Sequence, residues 1–237
     1  MFPEQSALPM PSADLQYRVG GDGVFHEVPL MFLARMNMAG LRPDHDVLDI
    51  GCGVGRVARY LCAYLYPSVR YEGFDVMDAA IAWCQENITP AHPNFGFTAT
   101  PVLNTAYRTD PSLPDAATFR FPYDDASFDF VCAQSVFTHL LPESAENYVR
   151  EMARVLRPGG ISCTTWLWFN DSGYSHPFTE PMERHDTYAV LNPEIPEAAI
   201  AYQEDAMRKM FGTGGLVIDG EYPGYERIQD LCVAHKP

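Results

Sequence analysis

The run Val47-Leu48-Asp49-Ile50-Gly51-Cys52-Gly53-Val54-Gly55 restricts the possible folds more than any other part of the chain. A short apolar strand enters glycines at alternate positions, and Val57 to Tyr66 then reads as a helix. Such a junction leaves bare backbone N–H groups beside a ligand. The commonest device of this type is the dinucleotide fingerprint G-x-G-x-x-G. Here the spacing is G-x-G-x-G, and Asp49 stands two positions before the first glycine. An acid at the strand end opposes a pyrophosphate and suits a ligand that carries an ammonium group. A second acid, Asp75, ends the next strand (Val69 to Asp75), where doubly wound sheets bind the two hydroxyls of a ribose.

The rest of the chain alternates in the same way. Phe25 to Ala39 has apolar residues at helical spacing, with Gly40 as a stop. Ala79 to Asn87 reads as a helix and Phe95 to Ala99 as a strand, followed by a Pro- and Thr-rich loop from Thr100 to Asp115. Phe128 to Gln134 is a buried strand, and Glu143 to Leu156 is a helix closed by Arg157-Pro158-Gly159-Gly160. Ile161 to Leu167 is a strand and Asp205 to Phe211 a helix, and two strands, Leu216 to Glu221 and Asp230 to His235, end the sequence. Alternation predicts an α/β fold with a doubly wound, mostly parallel seven-stranded sheet and helices on both faces. The closing pair predicts a hairpin, hence one antiparallel strand.

The stretch VLDIGCGVGRVARYL resembles the nucleoside-binding motif of class I S-adenosylmethionine-dependent methyltransferases. GFD resembles that family's ribose motif, FRFPYDDASFDFVCAQSVFTHL the segment around its fourth strand, and EMARVLRPGG the helix and turn before its fifth. The four motifs stand in the family's order. The resemblance implies S-adenosylmethionine as cofactor, with Gly51, Gly53 and Gly55 packed against it. Asp49 would act at its methionine end, directly or through water, Asp75 at the ribose, and Val76 and Met77 beside the adenine. The family's usual acid for the adenine amine is missing, because Ala117-Thr118 stands in its register. Thr118 with Phe119, a backbone group or Asp115 would substitute, and Gln134 would meet cofactor and substrate.

Composition narrows the partners. The 237 residues are 47% hydrophobic and 20% charged, with a formal net charge of −15, so no basic footprint for nucleic acid or an anionic membrane is expected. No stretch approaches the ~20 apolar residues of a membrane span. The first residues read as a mobile arm without a signal peptide. The 6 cysteines are scattered without a C-x-x-C pair, which fits a reducing cytoplasm and offers no zinc spacing. Asp124, Asp125 and Asp129 read as a solvated acidic turn rather than a metal site. Residues 1–24 form the expected arm, 25–165 the cofactor-binding core, 166–203 a lid, and 204–237 the closing helix and strands. A monomer or homodimer is expected.

The lid segment, Trp166 to Tyr202, is too long and proline-rich for an ordinary connection and too aromatic for disorder. Trp166, Trp168 and Tyr174, with Tyr17, Arg18 and Phe25 of the N-terminal region, are the expected walls of an acceptor pocket. Arg18, beside Gly20-Gly21, could instead pair with the cofactor's carboxylate or belong to an entry loop. His139 is the candidate general base, since an unperturbed imidazole suits that role, although the reading as the residue that holds its own loop is the favoured one. His26, His176 and His185 are weaker alternatives. The implied activity is methyl transfer to a small-molecule acceptor, most often an oxygen. A lipid- or quinone-type acceptor, a nitrogen or carbon atom, and a non-catalytic cofactor-binding protein are the alternatives.

Overall fold

The structure, a computed structural model, describes residues 8–19, 25–107, 110, 112–171, 173–174, 182–223 and 229–237. Its seven-stranded, mostly parallel sheet has the order β11-β12-β5-β4-β1-β2-β3, as expected for a doubly wound α/β fold. The chain divides into two compact units, residues 1–100 and 101–237, which cut across the four segments read from the sequence.

In the first unit, β1 (Val47–Ile50), β2 (Tyr71–Asp75) and β3 (Phe95–Ala99) pair in parallel. All four residues of β1 are buried, which is why the run is apolar without alternation apart from Asp49. Before it lie α1 (Ala13–Arg18) and α2 (Glu27–Met38). After it come α3 (Ala58–Leu61) and α4 (Asp78–Asn87). The expected helix from Val57 to Tyr66 is regular only over α3. Its end breaks into turns because the Tyr66 N–H is taken by Pro43 O at 2.8 Å and Pro67 follows. The expected mobile arm instead contains α1, capped by Ser12, whose hydroxyl accepts from Leu15 N.

In the second unit, β4 (Phe128–Ala133) and β5 (Leu156–Trp166) are parallel. Between them α5 (Pro142–Val155) starts with proline in its first turn and gives way at Leu156. The chain then runs through α6 (Glu204–Gly214) and β11 (Val217–Tyr222) to β12 (Asp230–His235). Gly215, at φ 92°, ends α6 in the left-handed conformation that glycine adopts without strain. β12 pairs antiparallel with both β11 and β5, so it is the reversed strand that the closing hairpin predicted.

The segment expected to be a lid forms a second sheet. Its strands are β6 (Trp168–Asn170), β7 (Gly173–Tyr174), β8 (Glu183–Arg184), β9 (Tyr188–Val190) and β10 (Ile200–Gln203), in the order β7-β6-β10-β9-β8. Leu167, Phe169, Met182, Ala189 and Ala201 fill its core. Strands of two to four residues are too short to show a period of two in sequence.

Trp166 corrects an expectation. Instead of lining a pocket it is 0% exposed, with its ring stacked on Phe137 at 4.0 Å and packed against Tyr202 and Phe211. Its indole N–H donates to Thr164 Oγ1 at 2.8 Å, so the one polar atom of the ring is satisfied inside the core. Trp168 is buried as well, and its backbone N–H donates to the buried Asp230. Trp166→Ala should therefore cost about 3–5 kcal/mol in urea unfolding. A loss under about 1 kcal/mol would return Trp166 to the surface role.

Candidate active-site residues

The glycine turn owes its shape to backbone conformation. Gly51, Gly53 and Gly55 have φ of 66°, 54° and 70°, values that side-chain-bearing residues rarely adopt. Space repeats the demand at two of them. A Cβ on Gly55 would lie 2.6 Å from Ile88 Cδ1, and one on Gly53 2.9 Å from Val19 Cγ1. The turn is pinned to β2 because Gly51 N and Cys52 N both donate to Phe74 O, at 2.8 and 3.1 Å.

Asp75 closes the arrangement. Its Oδ2 accepts from Gly53 N and its Oδ1 from Met77 N, each at 2.8 Å. Burial raises the carboxyl above its ordinary pKa, and the N–H groups of Met77, Gly53 and Val76 oppose the rise. Each carboxylate oxygen keeps acceptor capacity beyond one N–H, which is what a pair of ribose hydroxyls requires. Val76 and Met77 follow it, half-buried.

Asp49 differs from the expected open acid at the strand end. It is 1% exposed, and Tyr71 donates its phenol to Oδ2 at 2.6 Å while stacking on Phe95. This Tyr71 brace was missed from sequence; its signal is the strand register that pairs Val47 with Tyr71 and Asp49 with Gly73. The N-terminal residues differ too. Tyr17 is 78% exposed, and Arg18 is paired with Asp14 of its own helix at 3.1 Å. Phe25 is buried with Val54 and Ala80, where it supports the turn as a core residue.

In the second unit the end of β4 collects polar groups. Gln134 and Thr138 are buried, and Gln134 Nε2 and Thr138 Oγ1 have no hydrogen-bond partner among the described residues. Between them Ser135 adopts φ 59°, a strained value for a non-glycine residue. Ser135 N donates to Thr165 Oγ1 at 2.7 Å, Ser135 Oγ meets Gln229 Oε1 at 3.1 Å, and Thr165 Oγ1 donates to Gln229 Oε1 at 2.6 Å. Thr165 and Gln229 carry no motif; the pairing of β4 with β5 brings Thr165 to Ser135, and that of β5 with β12 brings Gln229.

His139 sits in a 3-10 turn, Phe137–His139, with Nδ1 2.8 Å from the carbonyl oxygen of Glu197. A carbonyl only accepts, so Nδ1 carries the proton and Nε2 presents a lone pair. Burial lowers the imidazole pKa, which keeps the ring neutral. Tyr107 packs edge-on against it, and Asn104 donates to His139 O. The loop-holding bond is thus present, and it orients the ring as a base requires.

Thr118 is exposed and donates its hydroxyl to Asp115 O, while Asp115 Oδ1 accepts from Ala117 N. Phe119 leans on Phe121 and Tyr148. Asn147 of α5 holds this segment through Ala116 O and Phe119 O, and Glu151 and Arg154 hold the next through Phe121 and Tyr123. Asp125 pairs with Arg154 and Arg120, and Asp129 with Arg157. Gly20, Gly21, His176, Phe178 and the side chain of Tyr174 lie outside the described residues.

Residues 48–164 match the family described as a methyltransferase domain. The chain is 32% identical over 198 residues to phthiotriol/phenolphthiotriol dimycocerosates methyltransferase 1 of Mycobacterium ulcerans, covering 80% of this chain and 60% of that protein. It is 32% identical over 130 residues to 27-O-demethylrifamycin SV methyltransferase of Amycolatopsis mediterranei, covering 52% of this chain and 39% of that protein. Less than two thirds of either relative is therefore spanned. Among solved structures, the CcbJ methyltransferase of Streptomyces caelestis superposes with TM-score 0.60 at 18% identity, over 94% of this chain and 95% of that one. The [4+2]-cyclase SpnF superposes with TM-score 0.59 at 16% identity, over 88% and 80%. The family match covers just under half of the chain and is to the methyltransferase domain, and the solved methyltransferases share its fold.

That family implies S-adenosylmethionine, and the residues of the first unit fit it. A turn of left-handed glycines stands beside a buried carboxylate with acceptor capacity to spare. Asp75→Ala should weaken S-adenosylhomocysteine binding by at least about tenfold in calorimetry, or ~1.4 kcal/mol. The ionised carboxylate is the binding form and its pKa is raised, so affinity should fall as pH drops while still above the ordinary 3.8. Affinity that stays level down to that value would remove Asp75 from the site.

Proposed function

We propose that this chain transfers a methyl group from S-adenosylmethionine to an oxygen atom of a small-molecule acceptor, with His139 as general base. The oriented imidazole carries the reading: Nδ1 is tied to Glu197 O at 2.8 Å, and Nε2 is left to take a proton. The relatives named for 27-O-demethylrifamycin SV and for phthiotriol dimycocerosates support an acceptor hydroxyl.

The bound cofactor supplies an already activated sulfonium methyl. The protein's task is to place the acceptor oxygen in line with the S–CH₃ bond, which is worth roughly 7–11 kcal/mol. In the first unit Asp75 and the glycine turn would hold the nucleoside, with Val76 and Met77 beside the base. In the second, Thr118 and Phe119 would approach the adenine, and Gln134 would use its unpartnered Nε2 toward cofactor or acceptor. His139 Nε2 would accept the hydroxyl proton as the oxygen–carbon bond forms and the carbon–sulfur bond breaks. Asp49, braced by Tyr71, would act on the methionine end through water. We further place the protein in the cytoplasm as a monomer or homodimer. All 6 cysteines are free thiols, and among the described residues no helix is long and apolar enough to cross a membrane.

A second reading is a family member that binds the cofactor without transferring its methyl group. It is favoured by the likeness to SpnF, a [4+2]-cyclase of the same fold. Calorimetric titration with S-adenosylmethionine, followed by incubation with labelled donor and a panel of small alcohols, phenols, lipids and amines, separates the readings. Binding without label transfer to any of them favours the second. Once an acceptor is found, His139→Ala should lower kcat about 10²–10⁴-fold at unchanged S-adenosylhomocysteine affinity. The wild-type rate should be half-maximal below the ordinary histidine pKa of 6.5, because the base form exists above a lowered pKa. A kcat within about twofold of wild type would leave His139 only its loop-holding role.

A further inference from the structure

Arg59 has no place in the chemistry described above, yet it is the arginine of this fold with the most unusual surroundings. Its residue exposure is 8%, and burial lowers its pKa. It lies one helical turn beyond the glycine turn, with its own N–H donating to Gly55 O at 2.9 Å. The guanidinium reaches back to the start of the described chain. Nη1 donates to Leu8 O at 2.9 Å, Nη2 to Pro9 O, and Nη2 also meets Met10 Sδ at 3.4 Å. A cation taken out of water is costly to hold unless its donors are satisfied. Here Leu8 O, Pro9 O and Met10 Sδ take up guanidinium donors.

Those residues lead directly into α1, which buries none of its own side chains fully. A helix of 6 residues has no stability by itself in water. Its position therefore depends on what holds its two ends. At the far end, Leu15 and Val19 pack on a cluster of Phe25, Val54 and Ala80, together with Met77 and Trp83. Val19 Cγ1 comes so close that a Cβ on Gly53 would lie 2.9 Å away. Val54 belongs to the glycine turn, and Met77 is the proposed neighbour of the adenine. The strap from residue 8 to residue 19 is thus fastened at one end by Arg59 and rests at the other on the cofactor-binding turn.

We infer that Arg59 is a positioning residue for the cofactor: by clasping residues 8–10 it holds the α1 strap over the glycine turn and retains the bound nucleoside. This rests on the proposed cofactor-binding function of that turn. Loss of the clasp frees the strap and speeds ligand exit more than it slows entry, since interface changes act mostly on dissociation.

The test uses the full chain and S-adenosylhomocysteine. Dissociation is followed by stopped-flow tryptophan fluorescence, for which Trp83 in the strap's own contact cluster is the reporter. The strap is followed separately by tryptic cleavage after Arg18. Arg59→Ala should raise the exit rate about tenfold and speed cleavage after Arg18 in the bound state, with Arg59→Lys between it and wild type. Leu15→Ser, which loosens the other end without touching Arg59, should reproduce both effects and decides the matter if Arg59→Ala does not fold. An exit rate within about twofold of wild type in the folded variants, or slower exit, overturns the inference. Wild type that binds no S-adenosylhomocysteine would instead overturn the cofactor reading on which it rests.

Discussion

The interaction on which the first unit depends is the pair of hydrogen bonds that Asp75 accepts from the backbone of two separate turns. One carboxylate oxygen takes the N–H of Gly53 and the other that of Met77, so a single side chain joins the glycine turn after β1 to the turn after β2. The cost is the desolvation of a charge, visible in its raised pKa. The return is a rigid floor whose remaining acceptor sites face whatever the turn holds. The left-handed glycines fit the same geometry, with Gly51 N–H turned to Phe74 O and Gly53 N–H to the acid.

Polar economy in the second unit is organised differently. There the strained backbone at Ser135 is held by side chains from β5 and from the residue before β12, with Thr165 and Gln229 closing a small hydrogen-bonded ring. The neighbours Gln134 and Thr138 retain buried polar atoms without partners among the described residues. Buried donors are rarely left without a partner in a folded protein, whether that partner is protein, water or a ligand. Strain and unmet hydrogen bonds gathered at the end of one strand are the expected marks of a functional surface.

How much of this was legible varied with the range of the interaction. The glycine turn, Asp75, the parallel strands and the reversed closing strand were readable because each rests on local conformation or on burial of a whole strand. Arg18 and Tyr17 stand on the exposed face of α1, which has no sequence signal that separates it from a pocket wall. Trp166 was misread for a related reason. An aromatic at the end of a strand looks the same whether it faces a pocket or stacks on Phe137, a contact between residues far apart in the chain.

The sequence alone determined the order of strands and helices in the seven-stranded sheet, the glycine turn after its first strand, and the acid that ends the next one. These follow from φ preferences, apolar runs and turn residues, which act over a few positions. Only the tertiary structure decided that Tyr71 braces Asp49, that Glu197 orients His139, that the supposed lid is a five-stranded sheet, and that Arg59 fastens the N-terminal strap. Each depends on a partner tens of residues away, and hydrogen bonding and packing at that separation leave no periodicity for a single sequence to display.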